Sequence, residues 1–349
     1  MNAIVFLTLF SMQDPATFTV GTATAARGQT AYGEIVVPAA SDSGLRIPVV
    51  VVHGARPGKV VAFVAGSHGT EYASIIATQR LIDNVNARFL AGTVIIVPII
   101  NIPSIEQMVP HLNPIDRRNM NREYPGDSTG SVSQRAAFAI TRAVVDPADV
   151  VVDLHGGDLD EDLRPYSYWF RSGKPAQDSA SRSLAIAFGL DHIIVTDVNP
   201  STPVGSRTLS GQTLARGKVA VVAEAGRSGL VLDEDVDALI AGSMNVLSTL
   251  GMIARHATHV PAIVWIGFGT RVAADSAGIF YATVARGARV KQGQVIGRTT
   301  DYFGRRNGEV HAPIDGVVTF IRRVPSMAKG ATLADIQKVL TTVPPWVAP

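Results

Sequence analysis

The feature that most constrains this chain is the stretch Val60-Val61-Ala62-Phe63-Val64-Ala65-Gly66-Ser67-His68-Gly69-Thr70-Glu71, with the run at 72–84 that follows it. Six consecutive apolar residues predict a buried strand, Gly66 ends it, and the spacing of Ile75, Ile76, Leu81 and Ile82 predicts a helix packed on the sheet. His68 and Glu71 fall at the strand-to-helix turn. A separation of three is expected to place both side chains on one face of the first helical turn, where an imidazole nitrogen and a carboxylate oxygen can bind one metal ion.

A His-x-x-Glu spacing is common on solvated helices and is weak when it stands alone. Two later stretches strengthen it. Val150-Val151-Val152-Asp153-Leu154-His155-Gly156-Gly157 predicts a second buried strand that delivers a histidine just before a glycine turn. Val219-Ala220-Val221-Val222-Ala223-Glu224-Ala225-Gly226 predicts a third, which delivers a glutamate in the same way. Ligands of open α/β sheets bind beyond the carboxyl ends of the strands, so three strands that each end in a polar residue describe one site. Cysteine is absent, which removes disulfides and thiolate ligands and leaves histidine and carboxylate to hold any zinc.

His68-x-x-Glu71, the Asn119-Met120-Asn121-Arg122-Glu123-Tyr124-Pro125-Gly126 stretch, Asp153-Leu154-His155 and Ala223-Glu224-Ala225-Gly226 occur in this order between about residues 60 and 230. Together they resemble the succinylglutamate desuccinylase/aspartoacylase family, relatives of the zinc carboxypeptidases. The resemblance implies an α/β fold with a mixed sheet flanked by helices, and one Zn²⁺ per subunit held by His68, Glu71 and His155. It implies Glu224 as general base and Asn121 and Arg122 as the binders of an amino-acid carboxylate. The family usually carries a further arginine upstream of that pair, where it polarises the scissile carbonyl. His111 occupies that place here, which leaves the oxyanion role open between His111, Arg117 and Arg118.

The expected function is zinc-dependent hydrolysis of the amide bond of a small N-acyl amino acid. The alternatives are a zinc carboxypeptidase acting on a peptide or cell-wall fragment and, in another class, a non-catalytic small-molecule binding protein. The expected partner is a small N-acyl amino acid, with homo-oligomerisation left open. A net charge of +2 without blocks of like charge gives no signature of nucleic acid. No apolar run reaches the ~18 residues that cross a membrane.

With 349 residues, 46% hydrophobic and 17% charged, the chain is long enough for two domains. Residues 1–28 are expected to be a leader or signal segment, from the apolar run at 3–10 and Ala23-Thr24-Ala25, which matches a cleavage signal. No cation precedes the run, so a cytoplasmic protein is expected, with a periplasmic or secreted one left open. Residues 29–257 are expected to form the catalytic domain and 258–349 a smaller all-β domain. Within the latter, 287–297 and 311–318 resemble the half-motifs of a lipoyl or biotinyl fold, without a lysine in the modified position, and imply a lid.

Between the metal motifs, 101–130 is expected to be a long functional loop. Asp153 lies two residues before His155, on the same side of the strand, and can orient His68 or His155, or be a satisfied buried carboxylate. Asp158, Asp160, Glu161 and Asp162 read as a solvated acidic loop near the metal side, which favours a neutral or amine-bearing substrate over a di-anionic one. His53 is expected in a surface turn, and Asp233 as the N-cap of a helix reaching residue 250. His256, His259 and His311 lack partners at metal spacing and read as structural or surface residues.

Overall fold

The computed structural model describes residues 16–255 and 262–343, so the run at 3–10, His256 and His259 lie outside the described residues. A hairpin of β1 (Thr17–Val20) and β2 (Ala23–Ala26) opens the fold. The Ala23-Thr24-Ala25 triplet is strand β2, with both alanines buried beside Ile35 and Ile47.

Next come β3 (Gln29–Val37), β4 (Leu45–His53), β5 (Arg56–Ala65), α1 (Tyr72–Asn84), β6 (Ala91–Val97), α2 (Ile102–Gln107) and α3 (Val132–Ile140). They are followed by β7 (Val150–His155), β8 (Glu161–Arg171), α4 (Pro175–Phe188), β9 (His192–Asp197), α5 (Leu209–Ala215), β10 (Val219–Arg227) and α6 (Asp233–Thr249). The C-terminal region is β11 (Val264–Ala273), β12 (Gly278–Ala282), β13 (Arg289–Val290), β14 (Val295–Thr300), β15 (Arg306–His311), β16 (Gly316–Arg322), β17 (Ser326–Met327) and β18 (Thr332–Val339). The architecture is therefore mixed α/β with a smaller C-terminal β region. Among the described residues no helix is long and apolar enough to cross a membrane.

One mixed sheet runs in the order β13-β16-β18-β11-β9-β8-β10-β7-β5-β6-β4-β3. Its centre is the parallel set β10, β7, β5 and β6. Helices cover both faces of that centre, which is why its strands are unbroken apolar runs. Val61, Phe63 and Ala65 pack with Leu81, Leu184, Phe188 and Leu239 on one side. Ala62 and Val64 pack with Ile95, Met120, Tyr124 and Ile140 on the other.

The C-terminal strands divide between this sheet and a second one ordered β15-β14-β12-β17, around their own core of Phe280, Ile296, Val318, Ile321 and Ile336. The join lies at β8. One edge of β8 pairs with β10, while the other pairs first with β16 at residues 161–163 and then with β9 at residues 167–171. The sheet thus forks where β8 changes partner, and the active cleft opens at that fork.

β8 is not legible in the sequence because acidic residues and Pro165 interrupt its apolar pattern. Pro165 sits where the β8–β10 register shifts, a position in which a missing ladder N–H is tolerated. His53 is a correction as well: it ends β4 and is fully buried, with Nδ1 2.9 Å from Thr93 Oγ1. The β4–β5 connection is only Gly54 and Ala55, too short to bring His53 to the surface. Leu232, not Asp233, occupies the N-cap position of α6, and Asp233, Glu234 and Asp235 place their charge in its first turn. The 101–130 segment is not structureless, since it contains α2 and a short 3₁₀ turn at Met120–Arg122.

Candidate active site

Gly66 turns the chain out of β5 with φ +66°, and a Cβ there would lie 2.8 Å from Ile99 Cα, so both conformation and space require glycine. The turn carries His68 and Glu71 just ahead of α1, with Glu71 at the N-cap position. This corrects the expectation that both sit on the first helical turn. The Glu71 side chain makes no cap hydrogen bond, because its two oxygens are taken by two histidines. His68 Nδ1 is 2.6 Å from Oε1, and His155 Nδ1 is 2.9 Å from Oε2. Burial opposes the charge of Glu71, yet the imidazoles of His155 and His68 hold its carboxyl well below the usual range.

The ligand atoms of His68, Glu71 and His155 lie within 4.8 Å of one another, and two imidazoles with one carboxylate are a donor set that suits zinc. A second observation fits the same ion. Asp153 is buried and lies 3.2 Å from His155 Nε2, while neither of its oxygens has a hydrogen-bond partner in the ion-free arrangement. Once His155 Nδ1 is given to a metal, Nε2 carries the proton, and Asp153 is the acceptor already in place. Asp153 thus lies against His155, not His68. Asn121 Nδ2 lies 3.2 Å from the same Nε2, and the Asn121 side-chain oxygen accepts from the Leu209 amide at 2.9 Å.

Glu224 pairs in register with His155 on β7 and with Tyr166 on β8, so the three residues form one row across adjacent strands. Its carboxyl is pushed well above the usual range by burial and by the charges of Glu71, Glu161 and Asp153, against the pull of His155.

His111 lines the same cleft. Its backbone N–H donates to Asp158 Oδ2 at 2.8 Å, its Nδ1 lies 3.0 Å from that oxygen, and its Nε2 lies 3.1 Å from Asp160 Oδ1. Burial disfavours its charge, but the hydrogen bond to Asp160 and the charge of Asp158 push its pKa up to about 9. It therefore stands as an imidazolium at neutral pH. Arg117 and Arg118 are exposed and absent from the cleft lining, and Arg118 Nη1 pairs with Glu123 at 3.2 Å. The structure does not bring these two to the site. Arg122 does line it, anchored by a 2.7 Å bond from Nη1 to the carbonyl of Asn121.

The acidic loop is not solvated. Asp158 is buried and bonds Thr70 and His111, Asp160 pairs with His111 and Arg322, and Asp162 pairs with Arg323 at 3.1 Å and faces Arg227 and Arg286. Its cations come from distant parts of the chain, which sequence proximity cannot reveal.

The cleft measures about 480 Å³. Its far wall is Tyr166, Tyr168 and Phe170 of β8, with Thr319, Phe320, Asp335 and Gln337 of the C-terminal strands. Tyr168 stacks on Phe170 at 5.6 Å and meets Tyr166 edge-on at 5.5 Å. These residues escape the sequence reading, although the alternation in Tyr166-Ser167-Tyr168-Trp169-Phe170 was a usable signal for a strand with one aromatic face. The loop after β9 contributes Val204, Gly205 and Thr208. Tyr302 is exposed and absent from the lining, and His311 is an exposed residue bonded to the Gly293 carbonyl at 2.9 Å.

Residues 57–250 match the model of the succinylglutamate desuccinylase/aspartoacylase catalytic domain. Over 325 residues the chain is 31% identical to the N-alpha-acetyl-L-2,4-diaminobutyric acid deacetylase of Halomonas elongata, covering 89% of this chain and 92% of that protein. The fold superposes on a succinylglutamate desuccinylase/aspartoacylase from Rhodobacter sphaeroides with a TM-score of 0.80 and 26% identity, covering 90% of this chain and 96% of that one. It also superposes on the ectoine utilization protein EutE of Ruegeria pomeroyi with a TM-score of 0.83 and 22% identity, covering 93% of this chain and all of that one, a likeness of fold. Motif order, strand-end geometry and these matches agree, and the chain belongs to the succinylglutamate desuccinylase/aspartoacylase family.

Proposed function

We propose that the protein is a zinc-dependent deacylase that removes the acetyl group from an N-acetyl diamino acid. The observation that carries this reading is the buried convergence of His68, Glu71 and His155 with Glu224 next to His155 in the sheet. The substrate class is taken from the Halomonas elongata relative and from the acidic character of the cleft. When bound at His68, Glu71 and His155, zinc would lower the pKa of a water to about 7 and polarise the acyl carbonyl.

Glu224 accepts the proton of the attacking water. As the C–N bond breaks, it delivers that proton to the departing amine nitrogen, giving acetate and the free amino acid. A carboxyl raised by burial suits both halves of that exchange. Asp153 keeps His155 oriented through Nε2. His111 supplies positive charge near the carbonyl in place of an arginine. Both of its ring nitrogens are engaged by Asp158 and Asp160, so it acts through its field and not by donating a new hydrogen bond.

Arg122 presents the guanidinium that pairs with the substrate's α-carboxylate. Arg122→Ala is expected to raise KM for the N-acetyl amino acid by about 10-fold or more, and to abolish the preference for the carboxylate over its carboxamide. Steady-state kinetics on the matched pair measure it, and an unchanged preference removes Arg122 from the binding role. The whole reading is tested by metal analysis of the purified protein and by release of acetate from N-acetyl-2,4-diaminobutyrate. Protein that holds stoichiometric zinc and releases no acetate from any N-acetyl amino acid contradicts it. Cleavage of peptides in preference to N-acetyl amino acids points instead to the carboxypeptidase alternative.

A further inference from the structure

We infer that Glu161 is the specificity-determining residue of the cleft, and that its carboxylate receives the side-chain ammonium of an N-acyl diamino acid. This rests on the deacylase reading above and adds to it the group that selects the substrate. Of the four acids at 158–162, three already have cations. Asp158 and Asp160 share His111, Asp160 also holds Arg322, and Asp162 faces Arg323, Arg227 and Arg286. The Glu161 side chain accepts a single hydrogen bond, from the Asp158 amide to Oε2 at 3.2 Å. Among the described residues no arginine or lysine forms an ion pair with it, and His111, whose ring nitrogen lies within 4.8 Å of its carboxylate, is already held by Asp158 and Asp160. A half-buried carboxylate without a cation of its own is disfavoured, and a cation brought by the substrate offsets that cost.

The position is fixed before any ligand arrives. The Glu161 amide donates to the Asp158 carbonyl at 2.9 Å, and its carbonyl accepts from Ser228 N at 2.7 Å. Gly157 packs so closely that a Cβ there would lie 2.2 Å from the Glu161 carbonyl oxygen. Burial pushes the Glu161 carboxyl up to about 7 against the pull of His111, with the Glu71 and Asp158 charges adding to the rise.

Two competing readings are weaker. A second metal ion at His111, Asp160 and Glu161 would have to break the contact of His111 Nε2 with Asp160 Oδ1 and share Asp160 with the Arg322 guanidinium. Asp335, the acid on the far wall, already faces Arg271 at 3.6 Å.

The test compares zinc-loaded wild type with Glu161→Gln on N-acetyl-2,4-diaminobutyrate and N-acetylnorvaline, which replaces the ammonium by a methyl group. Glutamine keeps the size and the hydrogen bond and removes the charge. The ratio of kcat/KM values is expected to fall at least about 30-fold in the variant, mainly through KM of the diamino substrate, with zinc content unchanged. Titration calorimetry of the product 2,4-diaminobutyrate against norvaline gives the same comparison without turnover, and is expected to show the amine preference in wild type alone. If wild type prefers the diamino acid and Glu161→Gln keeps that preference, or loses both substrates equally, the assignment of Glu161 is overturned while the substrate reading stands. A ratio that collapses in Asp335→Asn but not in Glu161→Gln also overturns it. A wild type without any preference for the diamino acid overturns the substrate reading itself.

Discussion

Glu224→Ala is expected to purify with the zinc content of wild type and to lose kcat by a factor on the order of 10² to 10⁴, the range over which a positioned acid–base group acts. The separation follows from position. Glu224 stands beside His155 in the sheet but is not among the residues whose ligand atoms converge, so its removal leaves that donor set whole. Its loss also relieves the cleft of one carboxylate, since burial and the neighbouring Glu71, Glu161 and Asp153 charges already push its carboxyl up. The folded protein is therefore expected to be at least as stable as wild type, and the activity loss cannot be ascribed to unfolding. Metal analysis, a thermal melt and acetate release on one preparation check all three. Normal turnover in this variant removes Glu224 from the mechanism.

The legible part of the site is the part that buried parallel strands deliver. β5, β7 and β10 carry long apolar runs because helices cover both faces, and a glycine follows close on each run, so the polar residue beside it is conspicuous, although β10 continues through Gly226 to Arg227. Three conspicuous residues at the carboxyl edge of one sheet can only meet. The illegible part depends on which way loops turn and on contacts distant in sequence. Nothing in the string His111 to Arg122 says that His111 enters the cleft while Arg117 and Arg118 leave it. Both His111 and Arg117 have positive φ, at 59° and 60°, so the loop reverses twice within seven residues. The acidic run looked solvated because its cations, Arg286, Arg322 and Arg323, lie more than a hundred residues away. The far wall was missed for the same reason: Leu163 meets Phe320 only because β16 adds itself to β8, and β16 brings Asp335 with it by pairing with β18.

The larger effect belongs to His155. His155→Ala is expected to purify without stoichiometric zinc and without measurable deacylase activity, because two remaining ligands hold the ion poorly and the attacking water is no longer activated. The consequence extends to folding. The His155 ring stands between two buried carboxylates, Glu71 at 2.9 Å and Asp153 at 3.2 Å. Burial opposes a charge on the ring, but those two anions push its pKa well above the ordinary histidine value, so it serves as their common cation. Removing one partner of a buried pair costs about 3–5 kcal/mol, and here Asp153 loses the imidazole beside it while Glu71 keeps His68. The metal-free variant is accordingly expected to melt well below metal-free wild type.

Added zinc separates the two losses. A ligand that binds only the native state stabilises it by RT ln(1 + [L]/Kd), about 2.7 kcal/mol at a concentration of 100 Kd, so wild type should gain thermal stability on titration with zinc. His155→Ala should gain little at the same concentrations. Thermal melts of both proteins, with and without zinc, give the four values required. A variant that still gains the full zinc-dependent shift shows that the ion is held without His155, and the metal centre described here is then wrong.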